Sequence, residues 1–274
     1  MLTISNVLFN PGVMMKAMKC HFAWALVFAI VTSAAPACAE GTGEGKLDEL
    51  YNEEAVKALL AEAEPDTAFL VRLNMMRAHV KAAADFMASG KPEEARVHIS
   101  HPRTEIYQEL AGALRERGLP DLAGAMTEAE AAFASAGQDR MKTAVAALLA
   151  GVDRAEASIA PDTGQDNRIY LDAAAQLLRT AVVEYNEAFE YGKISNVVEY
   201  HDGAYFAVEA RKLIESMAPT YAARNATTWS KLQLTLAELE KAWPPEAPPA
   251  QSILPVTKMQ ALVSIIELQI NRLH

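Results

Sequence analysis

Apolar residues in this chain recur every three and four positions, and no stretch alternates every two. The pattern is clearest at Phe69, Leu70, Leu73, Met76, Val80, Ala83 and Met87. A helix of 3.6 residues per turn gathers these side chains on one stripe, leaving an opposite face for water. Comparable stripes run from Leu47 to near Pro65, from Pro92 to about Ile99, and from Pro102 to about Arg117. Further stripes lie near 120–135, 138–158, 168–191, 196–217, 219–242 and 255–272. The punctuation agrees with them. Ser89-Gly90 and Gly118 stand where helices stop, and Pro92 stands where a first turn tolerates proline. The expected fold is all-α: an up-and-down bundle of about eight or nine helices. It forms one bundle, or two packed bundles divided near 160–167. A Pro-rich strap, Trp243 to Pro249, precedes the last helix.

The first 39 residues are set apart from this fold. Lys16 and Lys19 precede an apolar run from Phe22 to Val31, and Ala37-Cys38-Ala39 follows. A basic stretch, a short apolar stretch and an A-x-A pattern together read as an export signal cleaved after Ala39. Residues 40–46 follow as a flexible leader. The apolar run falls short of the roughly 20 residues a spanning helix needs. No later segment reaches that length, so no membrane span is expected in the mature chain. Both cysteines, Cys20 and Cys38, fall in the removed piece, which leaves no thiolate for metal or catalysis. The alternative is a lipoprotein anchored at Cys38.

Lys16 and Lys19 are the only charged residues before Glu40, so the net charge of −10 becomes −12 beyond Ala39. Nucleic-acid binding needs a basic face, and this balance argues against it. It suits an exported protein and mildly favours cations.

Four of the six histidines are internal, and they fall with carboxylates in two segments. The first segment holds His79, His98, His101 and Glu105. On an unbroken helix, His98, His101 and Glu105 share one face. Pro102 disfavours helical backbone at His101 and places it at the junction of two helices. Met75 lies four before His79, a thioether beside an imidazole. The second segment holds Glu184, Glu199, His201 and Asp202. Gly192 stops one helix and Ser195 or Asn196 caps the next, so the two pair antiparallel. A stripe of Val197, His201, Ala204 and Val208 then turns His201 inward, with Glu184 facing it. Imidazoles and carboxylates on facing helices are how bundles hold metals, and imidazole suits iron and copper. Each histidine also has a plainer reading as a capping or packing residue. There is no Cys-x-x-Cys-His for covalent haem, no phosphate-binding loop and no nucleophile–base pattern.

Glu184-Tyr185, Gly192-Lys193-Ile194, Asn196, Glu199-Tyr200 and Asp202 resemble a stretch of the extracytoplasmic helical domain of bacterial high-affinity iron permeases. The layout of signal, Ala-rich bundle and Trp-containing penultimate helix is similar to imelysin-like exported proteins of iron uptake. The permeases' Arg-Glu-x-x-Glu helices are absent, as is the His-x-x-Glu pair of the imelysin-like peptidases. The resemblance therefore implies metal handling in the periplasm beside a membrane uptake component, without transport or peptidase activity. The expected function is a carrier or accessory that is not an enzyme. It binds iron, copper or non-covalent haem through His79, His98, His101, Glu105, Glu184, Glu199, His201 and Asp202. The alternative is a metal-free interaction module.

Overall fold

Helix α1 (Glu53–Glu62) opens the fold in a computed structural model that describes residues 52–135, 137–159, 168–244 and 248–273. They belong to one compact unit spanning Gly43–His274. The expected signal, the leader and the 160–167 connector lie outside the described residues. The chain continues as α2 (Pro65–Ala88), α3 (Pro92–His101), a π-helical turn (Pro102–Ile106) and α4 (Tyr107–Glu116). Then come α5 (Ala123–Ser135), α6 (Gln138–Ala157), α7 (Arg168–Ala188), a β1–β2 hairpin (Phe189–Glu190, Lys193–Ile194) and α8 (Val197–Ser216). A short α9 (Ala218–Tyr221), α10 (Ala226–Leu239), a 3-10 turn (Glu240–Ala242) and α11 (Val256–Leu273) complete it. The fold is an all-α helical bundle. Among the described residues, no helix is long and apolar enough to cross a membrane.

Helices α2, α7 and α8 pack against one another at the centre. Small residues make this close approach possible. Ala173, Ala174, Ala181 and Ala188 on α7 are fully buried. Gly203 on α8 meets α7 so tightly that a β-carbon there would lie 2.9 Å from the Ala181 carbonyl oxygen. Around this centre, α3 lies on α2, α11 on α7 and α10, and α5 on α6. The helix starts follow local chemistry. Glu64 accepts hydrogen bonds from the Asp66 and Thr67 amides beside Pro65 at the first helical position of α2. Asn196 accepts from the Val198 and Glu199 amides, which fixes the start of α8.

Three departures from the expected pattern shape the site. First, Pro102 does not separate two helices. His101 keeps helical backbone (φ −55°, ψ −41°), and the chain widens into the π turn before Tyr107. Proline lacks the amide proton and crowds the carbonyl four residues back; the wider turn relieves both. The helix runs on, and His98, His101 and Glu105 remain on one side of it. Second, the inward stripe of α8 is not Val197, His201, Ala204 and Val208. Val197 and Val208 are exposed, and the buried face is Tyr200, Asp202, Gly203, Phe206, Ala207 and Ala210. Third, a hairpin stands where no strand was expected. Tyr191 and Gly192 both have positive φ (51° and 75°), the geometry of a two-residue turn with primed twist. The strap after Trp243 is tied to this hairpin and to α7. The Ser252 amide donates to the Gly192 carbonyl at 2.9 Å. The buried Tyr185 hydroxyl accepts from the Ile253 and Leu254 amides at 2.9 and 3.3 Å.

Candidate metal centre

Three histidines from two helices surround one aspartate. His79 comes from the middle of α2, His98 and His101 from the last turn of α3, and Asp202 from the second turn of α8. His79, His98 and Asp202 are 1 %, 0 % and 2 % exposed, and His101 is half-buried. His98 Nδ1 lies 2.8 Å from Asp202 Oδ1 in hydrogen-bonding geometry. His79 Nδ1 lies 2.8 Å from the same oxygen, and His101 Nδ1 lies 3.1 Å from Oδ2. Neither of these last two contacts closes a hydrogen bond, and among the described residues both nitrogens lack any other hydrogen-bond partner.

Buried polar atoms are ordinarily hydrogen-bonded, and each exception calls for an explanation. Here a close approach without hydrogen-bond direction has a simple one. Donors bound to a single ion at 2.0–2.2 Å stand roughly 3 Å apart with their lone pairs turned on the ion, not on each other. One donor atom from each of His79, His98, His101 and Asp202 lies within 4.8 Å of all the others. The orphaned nitrogens and the mixed imidazole–carboxylate chemistry therefore fit a transition metal.

The rings are held from outside. Phe206 packs edge-on against His79 at 5.1 Å, and Phe86 stacks on His98 at 5.1 Å. Burial opposes the charge on Asp202, but the imidazoles of His79, His101 and His98 outweigh it and hold the carboxyl far below the usual range. Burial likewise opposes protonation of His101, and Asp202, then Glu105 and Glu199, raise its pKa above the ordinary imidazole value. Glu105 faces the group from the π turn, with its oxygens 3.8 Å from His79 Nε2 and 3.6 Å from His101 Nε2. Burial raises its pKa against the pull of His101 and His79.

The remaining expected residues fall elsewhere. His201 is half-buried against Phe86 and Tyr200, its ring 6.0 Å from His98, and it does not join the converging set. Burial, then His98 and Lys91, lower its pKa to about 4. Glu184 and Glu199 form a separate carboxylate cluster with Glu187. Burial, then the Glu199 carboxyl, hold Glu184 well above its ordinary pKa. Met75 lines the cleft beside that cluster. Glu187 was not singled out in the sequence, although it stands three residues after Glu184 on the same helix face.

Two long antiparallel helices, α7 and α8, followed by α10 and α11, make four long helices in the second half of the described chain. Residues 160–274 match the family of the iron permease-associated 4-helix bundle domain. No curated protein and no solved structure matches the chain. The matched domain bears out the likeness to iron permeases carried by Glu184 to Asp202, and it covers less than half of the chain. It contains Asp202, Glu184, Glu187 and Glu199. His79, His98, His101 and Glu105 lie outside it.

Proposed function

We propose that this protein binds a transition metal, iron foremost, at His79, His98, His101 and Asp202, and serves as a carrier or accessory to iron uptake. The observation that carries the reading is the pair of buried, partnerless nitrogens, His79 Nδ1 and His101 Nδ1, turned on one carboxylate. Buried nitrogens are ordinarily hydrogen-bonded, so two of them gathered on one carboxylate without that geometry favour a shared ion. Imidazole nitrogens with a carboxylate oxygen suit iron(II) or copper(II). The match to a domain associated with iron permeases favours iron. Ring centroids 4.9 to 6.4 Å apart around one carboxylate suit a single ion rather than a haem.

Export to the periplasm, with a membrane uptake component as partner, is part of this reading. The signal-like sequence and the acidic balance support the first, and the matched domain supports the second. Binding rather than catalysis is proposed because the centre brings no nucleophile and its carboxylate is already committed to three imidazoles. The test is metal analysis of the mature protein, isolated without a histidine tag, followed by titration of the chelator-stripped protein with iron(II), copper(II) and cobalt(II). One iron per chain, lost on changing His79 or Asp202, supports the reading. A protein that takes up none of these ions overturns it in favour of the metal-free interaction module.

A further inference from the structure

Glu184, Glu187 and Glu199 have no part in the histidine centre. Glu184 and Glu187 stand one turn apart on α7, and Glu199 lies in the first turn of α8. One oxygen from each lies within 4.8 Å of the others. They line a cleft of about 500 Å³ together with Glu105 from the π turn. Lys57 and Arg72 also line it, and Arg72 is committed to Glu109 at 2.6 and 2.9 Å.

Carboxylates gathered in a cleft are common without any ion. What sets this group apart is the histidine behind it. His79 is 1 % exposed, and its Nε2 has no hydrogen-bond partner among the described residues. That nitrogen faces Glu105, the carboxylate shared between the cleft and the histidines, at 3.8 Å. His101 Nε2 faces the other Glu105 oxygen at 3.6 Å. These separations exceed hydrogen-bond length. Two donors on one ion with bonds of 2.0–2.2 Å can stand up to roughly 4.2 Å apart, so the gap is one an ion spans. His79 thus turns one nitrogen to Asp202 and the other to Glu105, which itself lines the acidic cleft.

We propose that Glu184, Glu187 and Glu199, with Glu105 facing them, form a second cation station that receives a hard, hydrated cation and passes it to the histidine centre. The hand-over rests on the function proposed above; binding at the station does not. Carboxylate oxygens suit hard cations, which keep part of their water when bound. Glu187 and Glu105 are exposed, while His79 and His98 are enclosed. Glu105, reaching both, is the residue an ion meets between the two.

The stations are separated by their donor preference. Terbium(III), an oxygen-seeking ion, reports the glutamates through luminescence sensitised by Tyr185 and Tyr200, the residues next in sequence to Glu184 and Glu199. Cobalt(II) absorption reports the histidines. In chelator-stripped full chain, the Glu184→Gln/Glu199→Gln variant is expected to bind terbium at least tenfold more weakly while keeping the cobalt spectrum. The Glu187→Gln change, at an exposed position, is expected to weaken terbium by a few-fold and slow cobalt loading severalfold with the final affinity unchanged. Terbium binding equal in wild type and both variants overturns the station. An unchanged loading rate with weakened terbium upholds the station and overturns the hand-over. Terbium lost in the variants from a protein that never binds cobalt upholds the station and overturns the histidine reading alone.

Discussion

The two halves of the described chain bring different chemistry to the same place. Before residue 160, helices α2 and α3 and the π turn contribute the imidazoles of His79, His98 and His101 and the carboxylate of Glu105. After it, the stretch matched by the iron permease-associated domain contributes oxygen: Asp202 to the centre, and Glu184, Glu187 and Glu199 to the cleft. Its internal histidine, His201, stays outside the converging set. The difference teaches that the matched domain alone accounts for a bundle with inward carboxylates. The imidazoles that converge on one of those carboxylates are carried by helices packed onto it from the other half.

The sharpest way to break this comparison is to remove one contribution from each half. Asp202→Asn takes the shared carboxylate from the matched half, and His79→Ala takes an imidazole from the other. Each is expected to lower iron or cobalt affinity by about 100-fold or more, beyond the 10- to 100-fold typical of groups that only support a ligand. Glu190→Gln, on the exposed hairpin strand, serves as the control and leaves affinity unchanged. If either variant binds as wild type does in a direct titration, the two halves do not build one centre.

The contact between α7 and α8 sets where Asp202 stands, and Gly203 sets the contact. A β-carbon at Gly203 meets the Ala181 carbonyl oxygen at 2.9 Å, with Glu184 Cβ and Trp243 Cζ2 at 3.3 Å. The backbone carbonyl cannot swing aside as a flexible side chain would. Gly203→Ala is therefore expected to cost about 1–3 kcal/mol, the range for overpacking, in spite of alanine's better helix propensity. Denaturant midpoints measure it, and a variant more stable than wild type would falsify the close crossing. A smaller effect is expected at Tyr185, whose hydroxyl accepts two strap amides. Tyr185→Phe leaves both amides without that acceptor and is expected to cost about 1 kcal/mol, with faster amide exchange at Ile253 and Leu254.

Much of this was legible in the sequence, because helical periodicity is a local signal. The ends at Ala88, Glu116 and Ala157 fall within a residue or two of the stops at Gly90 and Gly118 and of the expected end near 158. The stripe on α8 misled because it was counted through valines. Val197 and Val208 are exposed, and the buried positions include the polar Asp202, which hydropathy alone cannot place inside. Pro102 misled because a proline ordinarily marks a boundary; that a helix widens instead depends on tertiary packing on either side. The gathering of His79 with Asp202 spans more than a hundred residues, which no periodicity reaches. His98, His101 and Glu105 were placed on one face by spacing alone, conditional on a helix that the π turn preserves.

His201 offers the smallest effect and separates burial from ligation. Its folded-state pKa is lowered from 6.5 to about 4, by burial first, then His98 and Lys91, against the opposing pull of Asp202 and Glu94. A lowered imidazole pKa means the unfolded chain takes up the proton first as pH falls. The neutral ring's contribution is whole above pH 6.5 and is lost between there and about 4. Solvent around this half-buried ring reduces the effect below its full linkage value. In the metal-free protein, His201→Asn is therefore expected to flatten, modestly, the fall in stability between pH 7 and pH 5. The metal affinity of the same variant stays at the wild-type level, because its nitrogen is not among the converging donors. A variant that keeps the full acid slope rules out burial of His201 as its source. One that loses the metal places His201 in the centre and returns part of the nitrogen chemistry to the matched half.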